Sequence, residues 1–211
     1  MKIAILGATG QVGSQVLRAA LEQGYAVRVL VRDPDKLGVD KNKLDIVKGT
    51  LQDYDAVREA LTGCEAVINA AGGVKEPNQY QVFYSGTQNI IAAMRELGIK
   101  RLVSINGAAS IIPGEYVSLK RRLVRLFVLL LVKFMVVAKR AEMDVLQLSR
   151  DIDWSVVRAP VLSQEKGTGK IITNARDMAG GKVMLEDLSR FMLEQLNDST
   201  WLHKAPFVAS V

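Results

Sequence analysis

The first seventeen residues, MKIAILGATGQVGSQVL at positions 1–17, decide the fold. An apolar run at 3–6 leads into Gly7, Gly10 and Gly13, and apolar residues at helical spacing follow. This order predicts a strand, a tight turn at Gly7, a backbone open to a ligand at Gly10, and a helix packed closely on the strand at Gly13. The start of the helix offers unpaired N–H groups and a positive dipole end, so the stretch predicts a site for the pyrophosphate of a dinucleotide.

Short apolar runs rich in Val and Ile alternate with helix-like stretches along the whole chain. The runs predict strands at 3–6, 26–31, 44–47, 66–69, 102–105 and 154–157, with a smaller strand at 170–173. Apolar spacing predicts helices between the first two runs and over 54–61, 78–97 and 186–196. Nearly continuous apolar strands joined by helices bury both faces only in a doubly wound parallel sheet, so we predict an α/β Rossmann fold.

One domain is expected over 1–211, with residues from about 161 to 211 forming a small substrate-side portion. A chain of 211 residues suits a single core, and no repeat or linker interrupts it. The lone Cys64 and the lone His203 exclude an internal disulfide and the usual zinc and triad chemistries, so no metal site is expected. A cytoplasmic location is expected from the single cysteine and from a first strand that begins at once, without a signal peptide.

The net charge of +6 is spread along the chain, and only Lys120-Arg121-Arg122 with Arg125 forms a cluster. Aromatic residues are few and are not interleaved with that cluster, as a surface for single-stranded nucleic acid would require. We therefore expect anionic small ligands and no nucleic acid.

The end of the second strand distinguishes the two nicotinamide coenzymes. An acidic residue there binds the adenosine ribose hydroxyls, whereas an arginine holds a 2′-phosphate. Arg32 occupies this position, and Arg28 and Lys36 add positive charge nearby. The sequence favours NADP(H), with NAD(H) as the alternative if Arg32 only pairs with Asp33 or Asp35 on the surface.

The sequence contains six short motifs that belong together. They are Gly-Ala-Thr-Gly-Gln-Val-Gly at 7–13, Val-Arg-Asp at 31–33, Gly-Thr-Leu-Gln-Asp at 49–53, Asn-Ala-Ala-Gly at 69–72, Gly-Thr-Gln-Asn at 86–89 and Trp-Ser-Val-Val-Arg-Ala-Pro at 154–160. These motifs resemble those of the atypical short-chain dehydrogenase/reductases. Within them the chain is most similar to the NAD(P)H-binding group that includes NmrA-like proteins and biliverdin reductase B-type flavin reductases.

The resemblance implies a coenzyme site that follows the strand ends. Leu51 would lie against the adenine, with Thr50 in place of the family's acid. Pro160 and Val161 would border the nicotinamide, and Val161 stands where the biliverdin reductase B-type enzymes carry a histidine. The small residues that would line the ribose are Ala70, Ala71 and Gly72. The glycine-rich turn would contribute Gly7, Thr9, Gly10, Gln11, Val12 and Gly13.

Two lysines compete for the position that faces the coenzyme ribose. Tyr116 and Lys120 have the Tyr-x-x-x-Lys spacing, which on a helix sets the phenol and the ammonium on one face. The resemblance favours Lys139 instead, because its distance along the chain to Pro160 matches the family's spacing between the lysine and the Arg-Pro strand end. With this choice, Met135 takes the place of the family's tyrosine.

The missing tyrosine decides the predicted reaction. The family's serine or threonine at the fifth strand end is also absent, since its position falls at Asn106-Gly107, with Ser110 a few residues later. Carbonyl reduction needs a proton donor beside the developing alkoxide, whereas a flavin, a quinone or a similar flat ring can take protons from water.

We therefore predict an NADPH-dependent oxidoreductase acting on a flat small-molecule acceptor. Lys139 would orient the ribose, and Asn106 or Ser110 would contact the nicotinamide side. Two alternatives stay open: an NADP(H)-binding redox sensor without turnover, as among NmrA-like relatives, and a carbonyl reductase that uses Tyr116 and Lys120.

The segment 123–138 is apolar all round, interrupted only by Arg125 and Lys133, and is too short to predict a membrane span. A helix of this kind is expected to form core and substrate-pocket wall. A homodimer contact or a peripheral membrane contact through 120–138 stays open as an alternative.

Overall fold

A computed structural model describes residues 1–72, 78–112 and 115–211, without the side chains at 120, 124, 128 and 131–135. The strands in this part of the chain are β1 (Lys2–Leu6), β2 (Ala26–Val31), β3 (Leu44–Lys48), β4 (Ala66–Asn69), β5 (Arg101–Gly107), β6 (Asp153–Ala159), β7 (Val161–Ser163), β8 (Ile171–Asn174), β9 (Lys182–Met184) and β10 (Phe207–Ser210). The α-helices are α1 (Gln11–Glu22), α2 (Tyr54–Leu61), α3 (Gln79–Glu96), α4 (Leu119–Leu148) and α5 (Leu185–Glu194).

Eight of these strands form one sheet in the order β3-β2-β1-β4-β5-β6-β10-β8. All neighbours in it are parallel except β10 and β8. The strand order reverses between β1 and β4, because β1 pairs with β2 on one side and with β4 on the other. In a sheet of this topology, the crevice at the carboxyl ends of β1 and β4 is the expected ligand site.

The sheet separates two apolar cores. Alternate residues of β1 enter them: Ile3 and Ile5 pack with α1 and α5 on one face, and Ala4 and Leu6 pack with α2, α3 and the end of α4 on the other. Helices therefore cover both faces, and the predicted α/β doubly wound fold is confirmed.

Three strands of the structure were not predicted from the sequence. The strands β7 and β9 have three residues each and pair only with one another, and β10 joins the large sheet between β6 and β8. With three residues each, β7 and β9 are too short for a recognisable periodicity, and β10 pairs with strands more than 30 residues away in sequence. The small strand predicted at 170–173 is β8, displaced by one residue.

The long helix α4 has two unlike halves. Towards its C-terminus Ala138, Ala141 and Leu146 are buried, but from 122 to 130 every described side chain is half-buried or exposed. The expectation that the whole segment 123–138 forms core is therefore wrong, because its first half extends past the elements that would cover it. Among the described residues, no helix combines the length and the apolar content that crossing a bilayer requires.

Candidate functional site

Two adjoining cavities lie at the carboxyl ends of the parallel strands. The first, about 450 Å³, extends over the ends of β2 and β3, and the second, about 280 Å³, over the ends of β5 and β6. Both are lined by Gly10, Ala70, Ala71 and Gly72, so they meet at the ends of β1 and β4. Together they form an elongated crevice in the size range of cofactor sites.

The glycine-rich turn shapes the middle of this crevice. Gly7 has φ +81°, and a Cβ there would lie 2.5 Å from the backbone nitrogen of Ala71. A Cβ on Gly13 would lie 2.1 Å from the carbonyl oxygen of Gly7. The predicted tight turn and close helix packing are therefore confirmed.

Gly10 is the N-cap of α1 and has no side chain that could cap the helix. The N-terminus of α1 consequently opens onto both cavities, where its N–H groups and dipole favour an anion. Thr9 lines the first cavity, and Gln11 and Val12 line the second.

Arg32 carries the charge of the first cavity. It lies directly after β2 and is the one charged residue among the described residues that line this cavity. The carboxylate of Asp33, the next residue, accepts from the N–H of Asp35 at 3.1 Å and pairs with Lys36 Nζ at 3.5 Å. Arg28 does not line this cavity: it donates to the carbonyls of Glu59 and Thr62 and pairs with Asp45 at 3.5 Å.

Helix α3 fixes the wall that the resemblance assigns to the adenine. Asn89 Nδ2 donates to the carbonyl of Leu51 at 2.9 Å, and Gln52 Nε2 donates to the carbonyl of Val82 at 2.9 Å. A Cβ on Gly86 would lie 2.8 Å from Leu51 Cβ. Thus Gly86 and Asn89, quoted above only as part of a motif, position Leu51 in the cavity lining.

Lys139 lines the second cavity and belongs to a buried polar network. Its Nζ donates to Glu142 Oε2 at 2.8 Å, one helical turn further along α4. Asn69 Nδ2 donates to Glu142 Oε1 at 2.7 Å, and Ser104 Oγ donates to the same oxygen. Glu142 is 1% exposed, and its hydrogen bonds with Asn69 and Ser104 connect α4 to the carboxyl ends of β4 and β5. The sequence did not predict this network, because Asn69 and Ser104 lie 73 and 38 residues away from Glu142.

Asn106 and Ser110 also line the second cavity, next to Lys139. Ser110 Oγ donates to Asn106 Oδ1 at 2.6 Å, and Asn106 Nδ2 donates to the carbonyl of Lys139 at 3.3 Å. Because the Ser110 hydroxyl donates its proton to Asn106, it can only accept a hydrogen bond from a ligand. Neither side chain is arranged as a proton donor.

The remaining lining of the second cavity is apolar, and Pro160 belongs to it. Val161 does not line the cavity, because alternation along β7 leaves its side chain 70% exposed and directs Leu162 inward. The apolar lining consists of Val12, Ile105, Ala109, Val136, Ala159, Pro160 and Leu162. These residues give the second cavity a largely apolar wall.

Tyr116 does not share a helix face with Lys120, so the structure does not support the alternative in which these two residues form a Tyr-x-x-x-Lys pair. Helix α4 begins only at Leu119, because Ser118 caps it by accepting from the N–H of Arg121 at 3.2 Å. Tyr116 precedes the helix and is 73% exposed. Lys120 is the alternative to Lys139, and Met135 takes the place of the family's tyrosine; the side chains of both lie outside the described residues.

A buried charge cluster supports the loop that carries Ser110. Glu115 pairs with Arg121 and also with Arg158, whose Nη1 lies 2.6 Å from Glu115 Oε2. Arg121 donates to the carbonyl of Ser110 at 2.6 Å, and the guanidinium of Arg158 lies 3.6 Å from the ring centre of Phe207. Burial lowers the pKa of Arg158, and Glu115 opposes that shift. Sequence periodicity gave no signal for this cluster.

The sequence profile of a family described as NAD(P)H-binding matches residues 7–199. The chain belongs to this NAD(P)H-binding family. The residues present fit a nicotinamide coenzyme, because a Cβ would fill the cradle at Gly7 and Gly13 and the helix start behind it faces both cavities.

Two curated relatives, a reductase and an assembly factor, each match about half of this chain. Cinnamoyl-CoA reductase 1 of Petunia hybrida is 34% identical over 111 residues, which are 48% of this chain and 33% of the reductase. The photosystem II assembly factor Ycf39 of Synechocystis is 34% identical over 106 residues, 49% of this chain and 32% of the factor. The chain spans about a third of the length of these relatives.

Solved structures match over the full length of the chain. ChuY, an anaerobillin reductase from Escherichia coli O157:H7, superimposes with a TM-score of 0.79 at 18% identity. The alignment covers 100% of this chain and 97% of ChuY. At this identity the likeness establishes a shared fold.

Proposed function

We propose that the protein is an NADPH-dependent oxidoreductase that reduces a flat acceptor such as a flavin or a quinone. When bound, the coenzyme supplies the hydride. The α1 N-terminus holds its diphosphate, Leu51 borders the adenine, and the apolar walls of the second cavity pack against the reacting rings.

The composition of the second cavity carries this proposal. Among the described residues that line the two cavities there is no tyrosine and no histidine. Lys139 is held by Glu142, and the Ser110 proton by Asn106. A carbonyl acceptor needs a proton donor at this place, whereas a flat conjugated acceptor needs only to be stacked and can take protons from water.

Arg32 supports the choice of NADPH over NADH. A guanidinium binds the 2′-phosphate with charge-assisted hydrogen bonds, and Arg32 lies at the strand end where that phosphate is expected. We expect Arg32→Gln to weaken NADPH binding by about tenfold, a partial loss because the site is open to solvent, and to leave NADH binding unchanged.

Lys36→Gln is the matched control for this test. It removes an equal charge from an exposed residue that does not line the cavity. Equal losses for the two variants would mean that only the overall field matters, and an Arg32→Gln variant with wild-type preference would refute the assignment of the 2′-phosphate.

Turnover is tested by adding NADPH with either FMN or a soluble quinone and following the nicotinamide absorbance. Consumption of NADPH that depends on the acceptor supports the reductase. Tight NADPH binding without consumption refutes it and favours the second candidate, a redox sensor, which the committed hydrogen bonds of Ser110 and Lys139 also suit.

We also propose a cytoplasmic location. The single cysteine, Cys64, is free and buried, and burial raises the pKa of its thiol, as suits an inert thiol in a reducing compartment. Cell fractionation tests this placement, and recovery of the protein from an oxidising compartment would contradict it.

A further inference from the structure

A row of large apolar side chains lies exposed along the first half of α4. Leu119, Leu123, Leu126 and Leu130 recur at intervals of three and four residues, so they share one face of the helix, and Phe127 borders them. These five side chains, here called the α4 stripe, are between 62% and 78% exposed. Single exposed leucines are ordinary, but a continuous row of this kind marks a contact surface.

The charged residues within the sequence segment of the α4 stripe are all basic. From position 116 to position 141 the sequence has no Asp or Glu. The basic residues in this range are Lys120, Arg121, Arg122, Arg125, Lys133, Lys139 and Arg140.

Three of these basic residues have carboxylate partners, since Arg121 pairs with Glu115, Lys139 with Glu142, and Arg140 with Asp144 at 3.8 Å. Arg122 is exposed, and Arg125 donates to the carbonyl of Ala109 at 3.0 Å. Within the described part of the chain, neither has a carboxylate partner. The surface around the α4 stripe is therefore both apolar and positively charged.

We infer that the α4 stripe docks onto an anionic membrane surface. A helix with one apolar face and basic residues beside it lies in the interface plane, where its leucines enter the headgroup–acyl boundary and its cations meet lipid phosphates. A second copy of the chain fits less well, because a symmetric contact would place the same acid-free, basic surface against itself.

The α4 stripe lies on the same helix as two residues that line the second cavity. Val136 and Lys139, further along the same helix, line the second cavity. Leu130 precedes Val136 by six residues, roughly 9 Å along the helix axis. A docked protein would thus hold the second cavity close to the lipid, and, if the proposed reductase function is right, its acceptor would be a quinone dissolved in the membrane.

Vesicle flotation tests the docking without coenzyme or turnover. We expect the full chain to float with vesicles of phosphatidylcholine and phosphatidylglycerol, and to do so much less with phosphatidylcholine alone or at high salt. Leu130→Gln should lower the partition coefficient onto these vesicles about tenfold, because it removes one of the most exposed apolar side chains of the stripe.

Leu148→Gln is the matched control. Leu148 is 79% exposed against 78% for Leu130 and lies at the other end of α4, between the acidic residues Asp144 and Asp151 in sequence. It should float like the wild type, and both variants should melt at the wild-type temperature because each site is exposed.

Three results would overturn the proposal: no flotation with the anionic vesicles, equal binding to neutral vesicles, or equal losses for the two leucine variants. A concentration-dependent dimer that Leu130→Gln dissociates, without vesicle binding, would also overturn it and assign the stripe to a contact between copies.

Turnover assays with two acceptors distinguish a failure of the docking proposal from a failure of the proposed function. Leu130→Gln should slow reduction of a quinone held in anionic vesicles and leave reduction of FMN in water unchanged. Flotation without reduction of either acceptor would leave the docking intact and refute the reductase.

Discussion

Replacing Glu142 by Gln removes the counter-ion of Lys139 while keeping nearly the same side-chain shape. Glu142 is 1% exposed and Lys139 is 6% exposed, so water does not readily take the place of the lost charge. The amide can still accept from Asn69 or Ser104, but its NH₂ group cannot pair with the ammonium of Lys139.

The cost follows from this geometry. Removing one partner of a buried ion pair destabilises a protein by about 3–5 kcal/mol, because the other charge is left buried and uncompensated. The hydrogen bonds that the amide retains bring our expectation to the lower end of that range, about 3 kcal/mol. A domain of ordinary stability, about 5–15 kcal/mol, would still fold.

Urea unfolding of Glu142→Gln, Lys139→Met and the double variant measures the coupling energy between Lys139 and Glu142. Lys139→Met with Glu142→Gln should be more stable than Glu142→Gln alone, because the buried charge has gone. Glu165→Gln is the control, since the Glu165–Lys182 pair has a similar distance of 2.7 Å but is exposed, and its midpoint should not move. A Glu142→Gln midpoint equal to that of the wild type would refute the buried pair.

Two further predictions concern the glycine turn and the surface. Gly13→Ala should abolish coenzyme binding and lower the melting temperature, because its Cβ would collide with the Gly7 carbonyl. Gly181→Ala is the control and should do neither, because the space around its Cβ is open. Normal coenzyme binding by Gly13→Ala would contradict the geometry. Hydrogen bonds from Arg95 lower the pKa of Asp151 to about 2, so the pair stabilises the fold above the unfolded pKa, and that contribution is lost as the pH falls towards 2. Urea midpoints of wild type and Asp151→Asn should therefore differ at neutral pH and converge in acid, and a constant difference would show that the pair does not form.

The glycine turn was predictable because its causes are local. Gly7 needs a positive φ and Gly13 needs the space that a Cβ would fill, and both requirements act within a few residues. The doubly wound parallel sheet was predictable as well, since nearly continuous apolar strands joined by helices must be covered on both faces.

The choice of Lys139 over Lys120 depended on spacing to Pro160, and both Lys139 and Pro160 line the second cavity. The start of α4 was not foreseen, although Ser118 is an ordinary capping residue, so Tyr116 was wrongly placed on the helix.

Other parts of the site depend on contacts that no local pattern records. Glu142 meets Asn69 and Ser104, which lie 73 and 38 residues away, and Glu115 meets Arg158 across 43 residues. Periodicity shows that a position is buried, but it does not identify the partner of a buried charge.

Titration calorimetry with NADPH and NADH tests the central claim most directly, that the glycine turn and the start of α1 hold the diphosphate of a nicotinamide coenzyme. The structure predicts one site per chain for wild type, tighter for NADPH, with no binding to Gly13→Ala. The absence of binding heat for both coenzymes with folded wild-type protein would contradict the account.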